Sequence, residues 1–274
     1  MRRICVSVVT SVAVTALLCG PVPALAQSAP PLGTVQSFAV LGGSAVTAAG
    51  PAGTVISGDV GSAPTPSVSG FPPALVTAGF TVYTAANMVT ANARTDATTA
   101  FGNLASQLCP APNNIAGGLL GGLNLTPGVY CMPAGDLTGT LTLTGSATDV
   151  WVFQMTGSTL TTANASQVVM AGGASACNVY WQVSSSATLG SASSFAGSIF
   201  SGISITVGTT ADVIGRVIAG VGAVTMDGTN TIGGCSAPAV PTLPQWALLC
   251  LVVGLLGLGY LRLRRRSAGA MPTA

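Results

Sequence analysis

Ser186-Ala187-Thr188-Leu189, Ser204-Ile205-Thr206-Val207 and Ala223-Val224-Thr225-Met226 repeat one short element: a small residue, an apolar one, a threonine, another apolar one. Two earlier copies read Thr140-Leu141-Thr142-Leu143 and Gly157-Ser158-Thr159-Leu160. Their threonines are 17, 29, 18 and 19 residues apart. An alternating repeat of that length is too short for a pair of helices and fits one turn of a β-solenoid. Two other strand types keep the same interval. One is bulky: WVFQM at Trp151, VYWQV at Val179, SIF at Ser198 and RVIA at Arg216. The other reads QVVM at Gln167, SSFAG at Ser193, ADVIG at Ala211 and NTIG at Asn230. Phe195 and Val213 are 18 residues apart, as are Ile199 and Val217. Agreement on three strand types predicts a mainly β chain of stacked three-sided coils.

Alternation assigns the faces of the repeat. With Leu143, Leu160, Leu189, Val207 and Met226 directed inward, the residues before them point outward. The reading gives one outward column of Thr142, Thr159, Thr188, Thr206 and Thr225, and a second of Thr140, Gly157, Ser186, Ser204 and Ala223. Threonine is a good exposed strand residue in any protein. Its recurrence at one position of every copy suggests a functional surface, a flat and uncharged array of hydroxyls and methyls. Such an array suits an ordered, repetitive partner.

Composition excludes several other functions. The chain has 274 residues, 5% of them charged, and no histidine; ~25% charged is usual. Its net charge of +2 comes from Arg2, Arg3, Arg262, Arg264, Arg265 and Arg266 at the two ends. Between them Arg94 and Arg216 face six aspartates, two minus six, or −4. No basic footprint for nucleic acid exists. Without histidine there is no Ser–His nucleophile, and a metal hydrolase lacks its ligands. Polysaccharide chemistry by paired carboxylates remains, but Asp59, Asp136, Asp149 and Asp227 read as turn residues. We expect no enzyme, no cofactor and no metal.

The flanks have their own signals. Residues 1–26 read as a signal peptide: Arg2-Arg3, an apolar run to Cys19, then Ala24-Leu25-Ala26. Residues 27–236 form the solenoid domain, with Phe38–Gly61 as a first coil of three strands. Pro64, Pro66, Pro72 and Pro73 are expected to close that β-region. From about 77 to 108, apolar residues recur every three or four positions from Val82 to Leu108, predicting one amphipathic helix packed along the solenoid. Residues 237–242 are a linker. Residues 243–274 hold an apolar run long enough to span a bilayer, followed by arginines that fix the C-terminus inside.

Cys109, Cys131, Cys177 and Cys235 remain in the exported part, an even number that implies disulfides. Three pairings are open. Cys109–Cys131 is favoured because it would hold the helix end to the strand that re-enters the β-region. Simple stacking would separate Cys177 from Cys235 by about three coils, roughly 14 Å. Their pairing therefore requires a terminal segment to run back.

LGTVQSFAVLGGSAVT at Leu32, TVISGDVG at Thr54, LTPGVY at Leu125, VWVFQM at Val150, CNVYWQVSSSATLG at Cys177 and GRVIAGVGAVTMD at Gly215 resemble the DUF3494-type ice-binding proteins of bacteria and fungi. The resemblance covers roughly residues 32–235. It implies a right-handed, discontinuous β-solenoid of triangular cross-section, with the N-terminal coil stacked on the last coil and the long helix carrying the chain to the far end. It also implies that a flat face binds the ice crystal surface, and points to the face with the GAVTMD element. On that basis Thr142, Thr159, Thr188, Thr206 and Thr225, with Thr140, Ser186 and Ser204, are the expected ice-binding residues. The alternative is a cell-surface adhesion or matrix protein that binds polysaccharide on the same scaffold.

The tail is similar to the IPTL-type C-terminal sorting signals, through Pro241, Thr242, Leu243, Pro244 and Trp246, with Val240 where isoleucine is usual. That similarity implies an exosortase-like processing enzyme as partner. The protein would be exported and then sit at the cell surface or be secreted, anchored in the membrane by its tail before any processing.

Overall fold

The computed structural model describes residues 27–50 and 53–236. The signal segment 1–26, the linker 237–242 and the tail 243–274, with its sorting residues Pro241, Thr242, Leu243, Pro244 and Trp246, lie outside the described residues. The chain divides into two units, residues 1–238 and 239–274, and everything described belongs to the first. Among the described residues no helix is long and apolar enough to cross a membrane.

The first coil is β1 (Phe38–Gly42), β2 (Ala45–Ala48) and β3 (Val55–Ser57), as the sequence predicts. A further partial coil follows, β4 (Asp59–Ser62), β5 (Val68–Ser69), β6 (Leu75–Val76) and β7 (Val82–Tyr83). The expectation that the prolines close the β-region is therefore corrected. Pro64, Pro66, Pro72 and Pro73 lie between the short strands of an outermost coil, where a missing N–H costs no interior ladder bond. Asp59 is likewise a buried strand residue, not a turn residue, and its carboxylate accepts from the Thr81 N–H at 2.8 Å.

The helix α1 spans Met88–Ala105, shorter than the expected 77–108. Val82, part of the predicted stripe, is paired to Val60 in β7 instead. Asn87 begins the helix, its side chain accepting from the Thr90 N–H at 2.9 Å. Thr90, Ala93, Ala97, Ala100 and Leu104 form the buried face. They pack on Leu41, Val129, Val152, Tyr180, Phe200 and Ile218 of the solenoid, and the small residues permit close approach. The buried Gln154 amide donates to the carbonyls of Leu104 and Gln107, at 2.6 and 2.9 Å, which fixes the C-terminal end of the helix.

The remaining strands wind back: β8 (Asn124–Leu125), β9 (Gly128–Met132), β10 (Gly135–Leu137) and β11 (Thr140–Thr144) come first. Then follow β12 (Trp151–Met155), β13 (Leu160–Thr162), β14 (Gln167–Ala171), β15 (Val179–Val183), β16 (Ala187–Leu189) and β17 (Ser194–Ala196). The last two coils are β18 (Ser198–Ser201), β19 (Ile205–Val207), β20 (Asp212–Ile214), and β21 (Val217–Ala219), β22 (Ala223–Met226), β23 (Thr231–Gly233).

Three parallel sheets result. The helix-covered sheet runs β7-β4-β1-β21-β18-β15-β12-β9, the threonine sheet β10-β13-β16-β19-β22-β2-β5, and the mixed sheet β6-β3-β23-β20-β17-β14-β11-β8. In each, a strand of the first coil lies beside one of the last coil, so the winding is discontinuous. Inward residues make ladders along the axis; Tyr130, Phe153 and Trp181 stack with centroids 5.5 and 4.0 Å apart. At the corner between the threonine and mixed sheets, Ala165, Ala192, Thr210 and Thr229 all have φ of 55–58°. Four successive coils thus make the same left-handed bend without glycine, a conformation that costs an L-residue about 1 kcal/mol or more.

Cys109 is bonded to Cys131 and Cys177 to Cys235, with Cα–Cα distances of 6.1 and 5.3 Å. The second pair forms because the segment after β23 does run back. The Cys235 carbonyl accepts from the Arg216 guanidinium, whose terminal nitrogen also donates to the Gln36 carbonyl at 3.0 Å.

Candidate functional site

The three faces differ in what they show to solvent. The helix-covered sheet shows little, since α1 lies across it. The mixed sheet has an outward row in register of Thr140, Gln167, Ser194, Asp212, Thr231 and Val55, ending at the exposed Leu75. That row mixes three hydroxyls with an amide, a carboxylate and two apolar groups, so no single chemistry runs along it. Along the threonine sheet one does.

In the threonine sheet the register aligns Thr161, Thr188, Thr206, Thr225, Thr47 and Ser69. Six hydroxyl residues on six adjacent parallel strands make a column about 24 Å long at ~4.8 Å per strand. Each threonine lies between two inward residues: Leu160 and Thr162, Ala187 and Leu189, Ile205 and Val207, Val224 and Met226, or Val46 and Ala48 up to Thr47. All ten are buried. Packing below and strand pairing on both sides hold the column flat, and branching at Cβ restricts each threonine rotamer. The hydroxyls of Thr161, Thr188, Thr206 and Thr225 make no hydrogen bond among the described residues, whereas Ser69 donates to Thr47 at 3.4 Å. They are left for water.

A parallel column lies two residues earlier. Leu160 donates to the Ser186 carbonyl and Ala187 to that of Ser204, which sets Thr159 beside Ser186 and Ser186 beside Ser204. Ala223 and Ala45 continue it. No charged residue occurs in either column. The two internal arginines belong elsewhere: Arg94 donates to the Ala219 carbonyl at 2.7 Å, and Arg216 is buried beside Tyr180. Burial lowers the proton affinity of both guanidiniums and raises that of the Tyr180 phenol.

This register corrects part of the sequence-derived columns. Thr188, Thr206 and Thr225 share the first column and Ser186 and Ser204 the second, as expected. Thr140 and Thr142 do not: they are on β11 of the mixed sheet, where Thr142 pairs with Val169 and Asn124. Thr159 moves to the second column and Gly157 leaves it. The reason is a slip of two residues. Leu160 resembles Leu189 but is opposite Ala187, so Thr162 takes the inward place of Leu189. Its buried hydroxyl is satisfied, accepting from the Gly190 N–H at 2.9 Å. Thr161, Thr47 and Ser69 escape the sequence pattern. Counting from the bulky strand does not expose the slip: Trp151 is opposite Val179, and Leu160, nine residues on, is one place from matching Ala187 and one from matching Leu189.

The ice-binding-like family profile matches residues 40–232. The chain belongs to that family. An ice-binding protein of Nostoc sp. (strain HG1) is 41% identical over 86% of this chain and 87% of its own length. An ice-binding protein from an Antarctic biological consortium has a structure that superposes with a TM-score of 0.70 at 38% identity, over 76% of this chain and 92% of that one. The structure from the Antarctic ascomycete Antarctomyces psychrotrophicus gives 0.68 at 36% identity, over 75% and 98%. The family's members bind a solid rather than turn over a substrate, and among the described residues no cluster of three potential metal ligands occurs.

Proposed function

We propose that the protein binds ice through the two outward columns of the threonine sheet. The observation that carries this reading is the in-register column from Thr161 to Ser69, flat, uncharged and with most of its hydroxyls free of protein partners. Stiff side chains on a rigid sheet lose little entropy when water orders over them. Methyls and hydroxyls at one strand spacing then present a repeating template. The names of the relatives support the same reading. An assay of ice-recrystallisation inhibition on residues 27–236 tests it; a folded protein without activity would sink it. Because neither column contains an ionisable group, activity should be equal at pH 6 and pH 9.

The finer expectations about location belong to the same proposal. The protein is exported by the signal segment 1–26, anchored through residues 243–274, and processed at Pro241–Trp246 by an exosortase-like membrane enzyme. Support comes from the order of charged, apolar and small residues at the N-terminus and from the motif, apolar run and arginine cluster at the C-terminus. Mass spectrometry of the protein from its own cells should find Gln27 first and the arginine cluster missing. Replacing Pro241 and Pro244 by alanine should leave the tail attached. A mature protein that ends at Ala274 would contradict processing.

A further inference from the structure

The column does not stop at Thr161 for lack of backbone. The next strand, β10, continues the sheet, with Gly135, Asp136 and Leu137 opposite Leu160, Thr161 and Thr162. Gly135 and Leu137 are buried, so the Asp136 side chain points outward at the next place in the hydroxyl column. It is exposed, and among the described residues its carboxylate accepts only from the Thr138 hydroxyl at 3.1 Å. On its other side Leu119 pairs with Asp136 by a parallel bridge and is 66% exposed. A carboxylate thus interrupts an outward row that is otherwise uncharged.

We infer that Asp136 sets the length of the binding face along the solenoid axis. This rests on the ice-binding reading above. An ionised carboxylate orients its waters toward its own charge, and stripping that hydration is costly. Water held in a lattice satisfies its neighbours instead and cannot reorganise around an ion. Ordered water therefore ends at Thr161, and Leu119 beyond it is cut off from the face. Asp136 is a positioning residue for the interface edge, and touches nothing whose loss would unfold the coil.

The test compares wild type, Asp136→Thr and Asp136→Lys in recrystallisation-inhibition and thermal-hysteresis assays, with melting curves to confirm folding. Asp136→Thr should act at roughly half the wild-type concentration, a gain of the size expected from one added side-chain contact. Asp136→Lys, which exchanges one hydrated charge for another, should match wild type. An active wild type with Asp136→Thr unchanged, or with Asp136→Lys equally improved, overturns the inference and leaves the ice reading standing. An inactive, folded wild type overturns the ice reading and this inference with it.

Discussion

Thr206→Tyr should reduce ice activity at least tenfold while leaving the fold intact. Thr206 is near the middle of the column, between Thr188 and Thr225. A tyrosine ring there rises above both neighbours, which are only ~4.8 Å away, and holds a flat lattice off the surface on either side. Losing about 1.4 kcal/mol of interaction already means a tenfold loss, and several contacts are lost together. Stability should change little, because tyrosine is well accepted at an exposed strand position. Thr142→Tyr supplies the contrast. That residue is on the mixed sheet, so its replacement should leave activity within experimental error of wild type. Equal losses in both variants would mean that the face has been misassigned. Recrystallisation assays beside circular-dichroism melts read both quantities.

Arg216→Ala should cost about 4 kcal/mol of stability. The side chain is 2% exposed, and among the described residues no acidic group pairs with it. It donates to the Ser198 hydroxyl at 3.3 Å, to the Gln36 carbonyl and to the Cys235 carbonyl. A buried charge is tolerated here because its two terminal nitrogens meet fixed acceptors from three separate coils, while its Nε has no partner among the described residues. Truncation leaves those acceptors unpaired and opens a cavity, the two costliest kinds of change. For a domain of this size the melting temperature should fall by about 10 °C. Arg216→Lys retains the charge but cannot fork between Ser198 on one nitrogen and Gln36 and Cys235 on the other, so its loss should be smaller than that of Arg216→Ala. A shift of less than about 2 °C for Arg216→Ala would show that the corner does not depend on this residue.

The fold was largely legible in the sequence, because a solenoid writes its period into the chain. The pairs Phe195–Val213 and Ile199–Val217, picked out by spacing alone, are register partners in the structure. The site was legible only where successive coils have nearly equal length. Thr188, Thr206 and Thr225 are one short coil apart and fell into line. Thr161 did not, because alternation shows that a strand has an inside and an outside but not which neighbour it pairs with. Leu160 can match Leu189 or Ala187 by pattern; packing selects Ala187. Alternation also cannot name the sheet, so Thr142 looked like Thr206. Thr47 was hidden for a different reason. Its neighbour Thr225 is near the other end of the domain, and no local pattern records that contact. The helix began late because a 3.6-residue spacing at Val82 also satisfies a two-residue strand on an edge coil.

That distant contact has a consequence for how the molecule is made. β1, β2 and β3 have one neighbour in the coil that follows them and another, β21, β22 and β23, that is synthesised last. A nascent chain therefore cannot zip up coil by coil as it emerges, in the way a continuous solenoid can. Its first coil has to wait, one side of every strand unpaired, until the final residues of the domain arrive. Such late, long-range closure slows folding and leaves strand edges open meanwhile. Translocation in an unfolded state, with folding deferred until the whole domain has crossed, suits this topology better than folding during synthesis.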